Sequence, residues 1–297
     1  MSNLQLNTSL DQEVIVVIGA GTMGHGIAGQ AARCGGVVRL YDASLEALQR
    51  GQKHIEKTYQ KAMSKSKMTE QEVADSWSRL TFVEPISSDT LPRACMGATI
   101  VIEAAPEHLE LKRQIFTGIE PVVARETLLA TNTSSLSIDK IAESLSHPER
   151  FVGMHFFNPV AIMPLLEIVK GRHTSDHTIE KTRAIGEALL KTPIVVKDAP
   201  GFATSRLGIA LGNEAMRIYE EGVASAEDID RAMVLGYRHP IGPLALTDLV
   251  GLDVRLAISE YLHKELGTDT FNPPQILKEK VARGELGKKS GRGFYEY

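Results

Sequence analysis

The feature that most restricts the fold is a glycine pattern, Gly19-Ala20-Gly21-Thr22-Met23-Gly24, set directly after the β-branched run Val14-Ile15-Val16-Val17-Ile18. Alone, G-x-G-x-x-G is a weak signal; between a strand and a helix it marks the first turn of a dinucleotide-binding βαβ unit. Gly19 permits the tight turn, Gly21 lets backbone approach a pyrophosphate, and Gly24 lets the helix pack closely on the strand. The N–H groups of the turn and helix start, with Thr22 and Met23 among them, form the expected pyrophosphate seat. A second strand at 37–41 ends at Asp42, near the roughly 20-residue spacing expected of a ribose-binding acid. A carboxylate there accepts from both adenosine-ribose hydroxyls and repels a 2′-phosphate, which points to NAD rather than NADP. Arg39 has the opposite charge, but its strand position turns it from the ribose. The bland readings are an ordinary βα turn and a helix N-terminal acid; strand, helix and acid together favour the cofactor.

Strand and helix alternate from there to about Lys197. Helical patterns cover 45–67, 69–78, 109–119, 138–145 and 179–190, and strands are expected at 98–104, 127–130, 150–157, 165–169 and 194–196. Asp198-Ala199-Pro200-Gly201 is a turn cluster, after which the pattern is helical over 202–221, 226–235, 244–266 and 275–283. The expected fold is α/β: an N-terminal Rossmann-type, doubly wound, mostly parallel sheet over 1–198 and an all-helical domain over 199–297.

Composition removes several classes of function. The net charge is -4 and the cations are scattered, which speaks against nucleic acid as a partner. No run of 18 apolar residues suggests a membrane span. Two cysteines, Cys34 and Cys95, make neither a disulfide framework nor a four-thiolate zinc site, so a reducing compartment, cytoplasm or an organelle matrix, is expected. The tail before Val14 has no apolar core and no Arg-rich face, unlike a signal or transit peptide. His173 and His177 stand four apart but lack a third ligand; they read as solvated, with no metal expected.

Oxidising a secondary alcohol needs a hydride acceptor, a base for the hydroxyl proton and a group that holds the oxygen. Of nine histidines, His155 stands out: it lies near the end of a strand in Gly153-Met154-His155-Phe156-Phe157-Asn158-Pro159, beside two aromatics. Glu167 is an acid inside the apolar strand Leu165-Leu166-Glu167-Ile168-Val169, where a lone carboxylate is costly to bury. A nearby imidazolium is its simplest partner, and the pair would fix the histidine tautomer. The alternative is an edge-strand acid and a core histidine. Ser134, in Thr131-Asn132-Thr133-Ser134-Ser135, also ends a strand; without a G-x-S-x-G elbow it reads as a donor to a substrate oxygen rather than a nucleophile. The stretch Glu103 to Lys112 follows the fourth strand, where loops lie over the nicotinamide side of the crevice; a solvated helix start is the alternative.

The motifs GAGTMG, VIEAAPEHLELK, NTSSL, HFFNP, KDAPGF, EDID, GPLALTDLVGLD and GKKSGRGFY, with the Glu167 strand, stand in the order and spacing of the L-3-hydroxyacyl-CoA dehydrogenases. The chain resembles that family from about Val14 to Tyr297. The resemblance implies NAD-dependent oxidation of a 3-hydroxyacyl-CoA, short-chain such as 3-hydroxybutyryl-CoA, to the 3-oxoacyl-CoA, and the reverse. It implies His155 as general base, Glu167 as its partner, Ser134 holding the reacting oxygen, Asn158 orienting substrate and cofactor, and Glu107 and Lys112 lining the NAD pocket. It implies a helical domain that closes over the thioester and forms a homodimer.

One departure is Ser205 in Pro200-Gly201-Phe202-Ala203-Thr204-Ser205-Arg206, where the family usually has a substrate-binding asparagine. The CoA phosphates need cations, and Lys53, Lys57, Lys61, Lys65 and Lys67 on the long helical arm are candidates, the alternative for each being a solvated helix face. The alternatives on the same fold are a dehydrogenase of a free hydroxy acid such as gulonate, and a non-catalytic, crystallin-like relative.

Overall fold

The computed structural model describes residues 9–297, so the greater part of the N-terminal tail lies outside the described residues. Two compact units divide between Asp198 and Ala199.

The first unit is built on an eight-stranded sheet in the order β3-β2-β1-β4-β5-β6-β7-β8. Its strands are β1 (Val14–Ile18), β2 (Val37–Tyr41), β3 (Leu80–Val83), β4 (Ile100–Glu103), β5 (Leu128–Thr131), β6 (Phe151–Phe156), β7 (Leu165–Lys170) and β8 (Thr192–Lys197). All neighbours pair parallel except β6 and β7. Ile15, Val16 and Val17 are wholly buried, as are Ile100, Val101 and Ile102. Strands covered on both faces read as unbroken apolar runs, which is why β1 and β4 show no alternation in the sequence.

The connecting helices are α1 (Gly24–Arg33), α2 (Leu45–Ser64), α3 (Glu70–Ser78), α4 (Thr90–Cys95), α5 (Leu109–Ile119), α6 (Ile138–Ala142) and α7 (Asp176–Ala188). Ser44 caps α2 by accepting from the Ala47 amide, and Thr69 with Glu72 makes a capping box at α3. The arm expected to be helical to Lys67 stops at Ser64, because Ser66 turns to φ +53°. Strand β3 and helix α4 were not expected from sequence. Strand β3 lies at the sheet edge and is nowhere fully buried, and its four residues are too few to stand out as a pattern although three of them are apolar.

The second unit is helical: α8 (Thr204–Glu220), α9 (Ala226–Arg231), α10 (Pro243–Val250), α11 (Leu252–Leu266) and α12 (Gln275–Ala282). The segment 244–266, expected as one helix, is two. Gly251 separates them at φ +105°, outside helical backbone. The α9 helix passes into a π turn over Ala232–Gly236, which covers the rest of the helix expected at 226–235. The core of this unit joins Ala215, Met216, Ile229, Leu244, Leu252 and Leu277. The chain end packs on it through Asp248, whose carboxylate accepts from the amides of Phe294 and Tyr295, both at 2.9 Å.

Candidate active site

In a doubly wound sheet, ligands bind beyond the C-terminal strand ends where the strand order reverses. Here that point lies between β1 and β4. The Gly19–Gly24 turn, Asp42, the 104–108 segment and the 132–135 loop follow β1, β2, β4 and β5 and therefore collect at one edge.

The glycines do what their spacing demands. Gly19 has φ +99°, and a Cβ on it would stand 2.6 Å from the Ala104 carbonyl oxygen. A Cβ on Gly24 would stand 1.7 Å from the Gly19 carbonyl oxygen, so only glycine lets α1 start there. Over Gly21 nothing lies within 4 Å, which leaves open space against backbone at the start of α1. The first turn of α1 holds no acid. This cradle fits a pyrophosphate. Asp42 ends β2 as expected, and Arg39 is turned away: its guanidinium donates to the carbonyls of Ala94 (2.8 Å) and Met96 (2.7 Å).

The His155–Glu167 pair is set by register. On antiparallel β6 and β7 the two residues are direct cross-strand partners, so their side chains share a face. His155 Nδ1 lies 2.7 Å from Glu167 Oε2, with Glu167 wholly buried and His155 7% exposed. A carboxylate at Nδ1 selects the tautomer that donates from it, so Nε2 is the nitrogen that accepts a proton. The Phe157 ring stands 4.5 Å from the imidazole centroid to centroid, and the exposed Asn158 follows. The buried Thr133 precedes the exposed Ser134 in the loop after β5. That loop is tied to the histidine strand, because the Phe156 amide donates to Asn132 Oδ1 at 2.9 Å.

Glu107 and Lys112 meet around a third residue. Lys112 Nζ lies 2.7 Å from Glu103 Oε1 and 3.5 Å from Glu107 Oε2, and it is 1% exposed. Lys112 is thus an interior cation, while Glu107 stays partly exposed. Glu103 was not singled out from sequence, although it carries the signal that pointed to Glu167: an acid ending an apolar strand. It also accepts from Thr131 Oγ1 (2.6 Å) and the Ala105 amide (2.6 Å). Burial pushes its carboxyl above the usual range, against the pull of Lys112, Thr131 and Ala105.

A cavity of about 240 Å³ opens between α1, α2 and the loop after β6. Thr58, Lys61, Lys65, Lys67 and Asn158 help to line it. Lys53 and Lys57 are exposed and do not line it. His25 lines this cavity and Lys191 braces one wall of it, neither singled out from the sequence. His25 Nδ1 lies 2.7 Å from the Gly21 carbonyl and the ring stacks on His54, with centroids 4.9 Å apart. Buried Lys191 donates to the carbonyls of Val160 and Met163, the latter at 2.9 Å, and so fixes the loop after Asn158-Pro159. Ser205 lies half-buried in the first turn of α8, in the second unit. Among the described residues no cluster of three or more His, Cys, Asp or Glu could hold a metal ion, and no helix is long and apolar enough to cross a membrane.

The first unit therefore has the architecture of a dinucleotide-binding dehydrogenase domain. The 3-hydroxyacyl-CoA dehydrogenase NAD-binding domain family matches residues 14–199, and the C-terminal domain of 3-hydroxyacyl-CoA dehydrogenase matches residues 201–297; the chain belongs to this family, and its cofactor is NAD. It is 44% identical over 283 residues to a probable 3-hydroxybutyryl-CoA dehydrogenase of Bacillus subtilis, covering 95% of this chain and 96% of that one. It is 40% identical over 286 residues to the 3-hydroxybutyryl-CoA dehydrogenase of Clostridioides difficile, covering 95% and 99%. The solved (S)-3-hydroxybutyryl-CoA dehydrogenase from Ralstonia eutropha superposes with a TM-score of 0.89 at 42% identity, covering 96% of this chain and 99% of that chain.

Proposed function

We propose that the chain oxidises a short-chain L-3-hydroxyacyl-CoA, such as 3-hydroxybutyryl-CoA, to the 3-oxoacyl-CoA and runs the reverse reduction. The observation that carries this reading is the His155–Glu167 pair at the cofactor edge of the sheet. NAD, when bound, supplies the acceptor for the hydride on C3. The turn Gly19, Gly21, Thr22, Met23 and Gly24 receives its pyrophosphate, Asp42 its adenosine ribose, and Glu107 borders the nicotinamide side with the buried Lys112 behind it. His155 Nε2 takes the proton of the 3-hydroxyl, and the buried Glu167 carboxylate stabilises the imidazolium that results. Ser134 donates to the same oxygen, which becomes the carbonyl oxygen of the product. Asn158 orients the acyl group, and Ser205 takes the place of the family asparagine. The anionic end of CoA fits the cavity edged by Lys61, Lys65 and Lys67, a more direct set of cations than Lys57.

The homodimer reading places the interface on the second unit. Support comes from its exposed apolar side chains, among them Leu207 (72%), Leu249 (57%) and Val254 (41%). Light scattering on the purified chain measures it. A cytoplasmic location rests on the unpaired Cys34 and Cys95.

The decisive experiment is His155→Ala assayed with 3-hydroxybutyryl-CoA and NAD. Turnover should fall about 10²- to 10⁴-fold while NADH affinity stays near normal. Near-full turnover in that variant removes His155 as the base. NADH formation from gulonate in preference to the thioester would replace the substrate reading.

A further inference from the structure

Glu107, expected to line the NAD pocket, is bonded as the anchor of the neighbouring loop. Its Oε1 accepts from the Thr133 hydroxyl (2.5 Å), the Ser134 amide (3.0 Å), the Ser135 amide (3.1 Å) and the Ser135 hydroxyl (3.0 Å), with the Ser134 hydroxyl at 3.5 Å. Residues 132–137 form neither helix nor strand, so this carboxylate serves as acceptor for amides that no sheet or helix ladder supplies. Glu107 Oε2 faces Lys112 Nζ at 3.5 Å, and Lys112 is itself fixed by Glu103 at 2.7 Å and by the Ala105 carbonyl at 3.3 Å. A connected line of charge-assisted contacts thus runs from the end of β4 through Lys112 and Glu107 into the loop after β5.

We propose that Glu107 is the positioning residue for Ser134: its carboxylate sets the backbone of the 133–135 loop, and so fixes where the Ser134 hydroxyl meets the substrate oxygen. This rests on the reading of Ser134 as the oxygen-holding residue. Burial works to raise the Glu107 carboxyl, and the bonds from Thr133, Ser135 and Ser134 with the Lys112 charge more than offset it, so the group is held below the usual range and stays ionised near neutral pH. A glutamine retains one acceptor but loses the charge, and its NH2 has no matching acceptor in an ammonium. An aspartate retains the charge one methylene short of the loop.

The test is a double-mutant cycle on the full-length chain with Glu107→Gln, Ser134→Ala and the pair, reading kcat, KM for the thioester and NADH Kd by fluorescence. Circular dichroism confirms that each variant folds. A misplaced donor costs on the order of 10²-fold in rate. Glu107→Gln should lower kcat by about that factor, with any rise in NADH Kd smaller than the fall in kcat, and Glu107→Asp should recover part of the loss. In the Ser134→Ala background Glu107→Gln should cost little more, because its effect passes through Ser134. A loss that multiplies undiminished in that background overturns the proposal, and so does a fall in NADH affinity as large as the fall in kcat. Full activity of Ser134→Ala alone would instead overturn the oxygen-holding reading, and the positioning role with it.

Discussion

Asp42 reaches back across the sheet edge: its Oδ2 accepts from the Ala20 amide at 2.7 Å, inside the glycine turn, while Oδ1 accepts from the Ser44 amide at 2.8 Å. The acid at the end of β2 therefore braces the glycine turn, and in the proposed function it also receives the adenosine ribose. Asp42→Ala removes both, and hydrogen bonds to a charged group are worth about 1.5–3 kcal/mol. NADH should bind about 10- to 100-fold more weakly, and NADPH should lose less, since the carboxylate repels its 2′-phosphate. Fluorescence titration with both nucleotides measures this. An unchanged ratio of the two affinities would mean that Asp42 does not discriminate between them.

Glu167→Gln separates charge from shape at the histidine. The amide fills the same buried volume and still offers an oxygen to Nδ1, so the fold should survive. It cannot stabilise an imidazolium, so turnover should fall about 10²-fold or more with NADH Kd little changed. A variant as fast as the parent would show that the carboxylate orients the ring without supporting its charge.

The interior pair Glu103 and Lys112 predicts a stability effect with a definite pH sign. Both side chains are at most 1% exposed. Lys112→Met leaves the carboxyl without its cation, and breaking a buried pair costs about 3–5 kcal/mol. Folding already raises the Glu103 carboxyl above its usual range. A group raised in this way contributes stability below its unfolded pKa and loses it as pH rises through the folded one. Removing the ammonium raises the carboxyl further. Lys112→Met should therefore be most destabilised near pH 8 and partly recover near pH 5, as read from urea midpoints. A penalty that grows towards acid would reverse this account.

What could be read in advance followed one rule: a residue whose environment contradicts its chemistry points to a partner. Glu167 in an apolar strand pointed to His155, and the register of β6 on β7 supplies the contact. Glu103 ends β4 under the same contradiction, yet Lys112 nine residues on reads as lining the NAD pocket, with a solvated helix start as the alternative, because nothing local marks the inward turn of a lysine. Long-range acceptors were less legible still. Asp248 holds the amides of Phe294 and Tyr295, and such closure depends on the whole packing of the second unit. The edge strand β3 was hidden because Leu80-Thr81-Phe82-Val83 is too short for its alternation to stand out from the helices around it.

The break between α10 and α11 was concealed by composition, since Leu249-Val250-Gly251-Leu252 reads as an apolar helix face. Gly251 at φ +105° and ψ 129° occupies backbone that side chains rarely adopt, and an added Cβ would stand 3.0 Å from Asp253 Oδ1 and 3.2 Å from Lys289 Nζ. Gly251→Ala should cost on the order of 1–3 kcal/mol of backbone strain. The neighbouring Lys289–Asp253 ion pair is short, at 2.6 Å, but its side chains are 47% and 40% exposed. Exposed pairs contribute about 0–1 kcal/mol, so Asp253→Asn should cost less than Gly251→Ala despite removing a visible contact. Urea or thermal midpoints of the two variants decide between them. The reverse order would mean that the ion pair, rather than the glycine backbone, sets the join between the two helices.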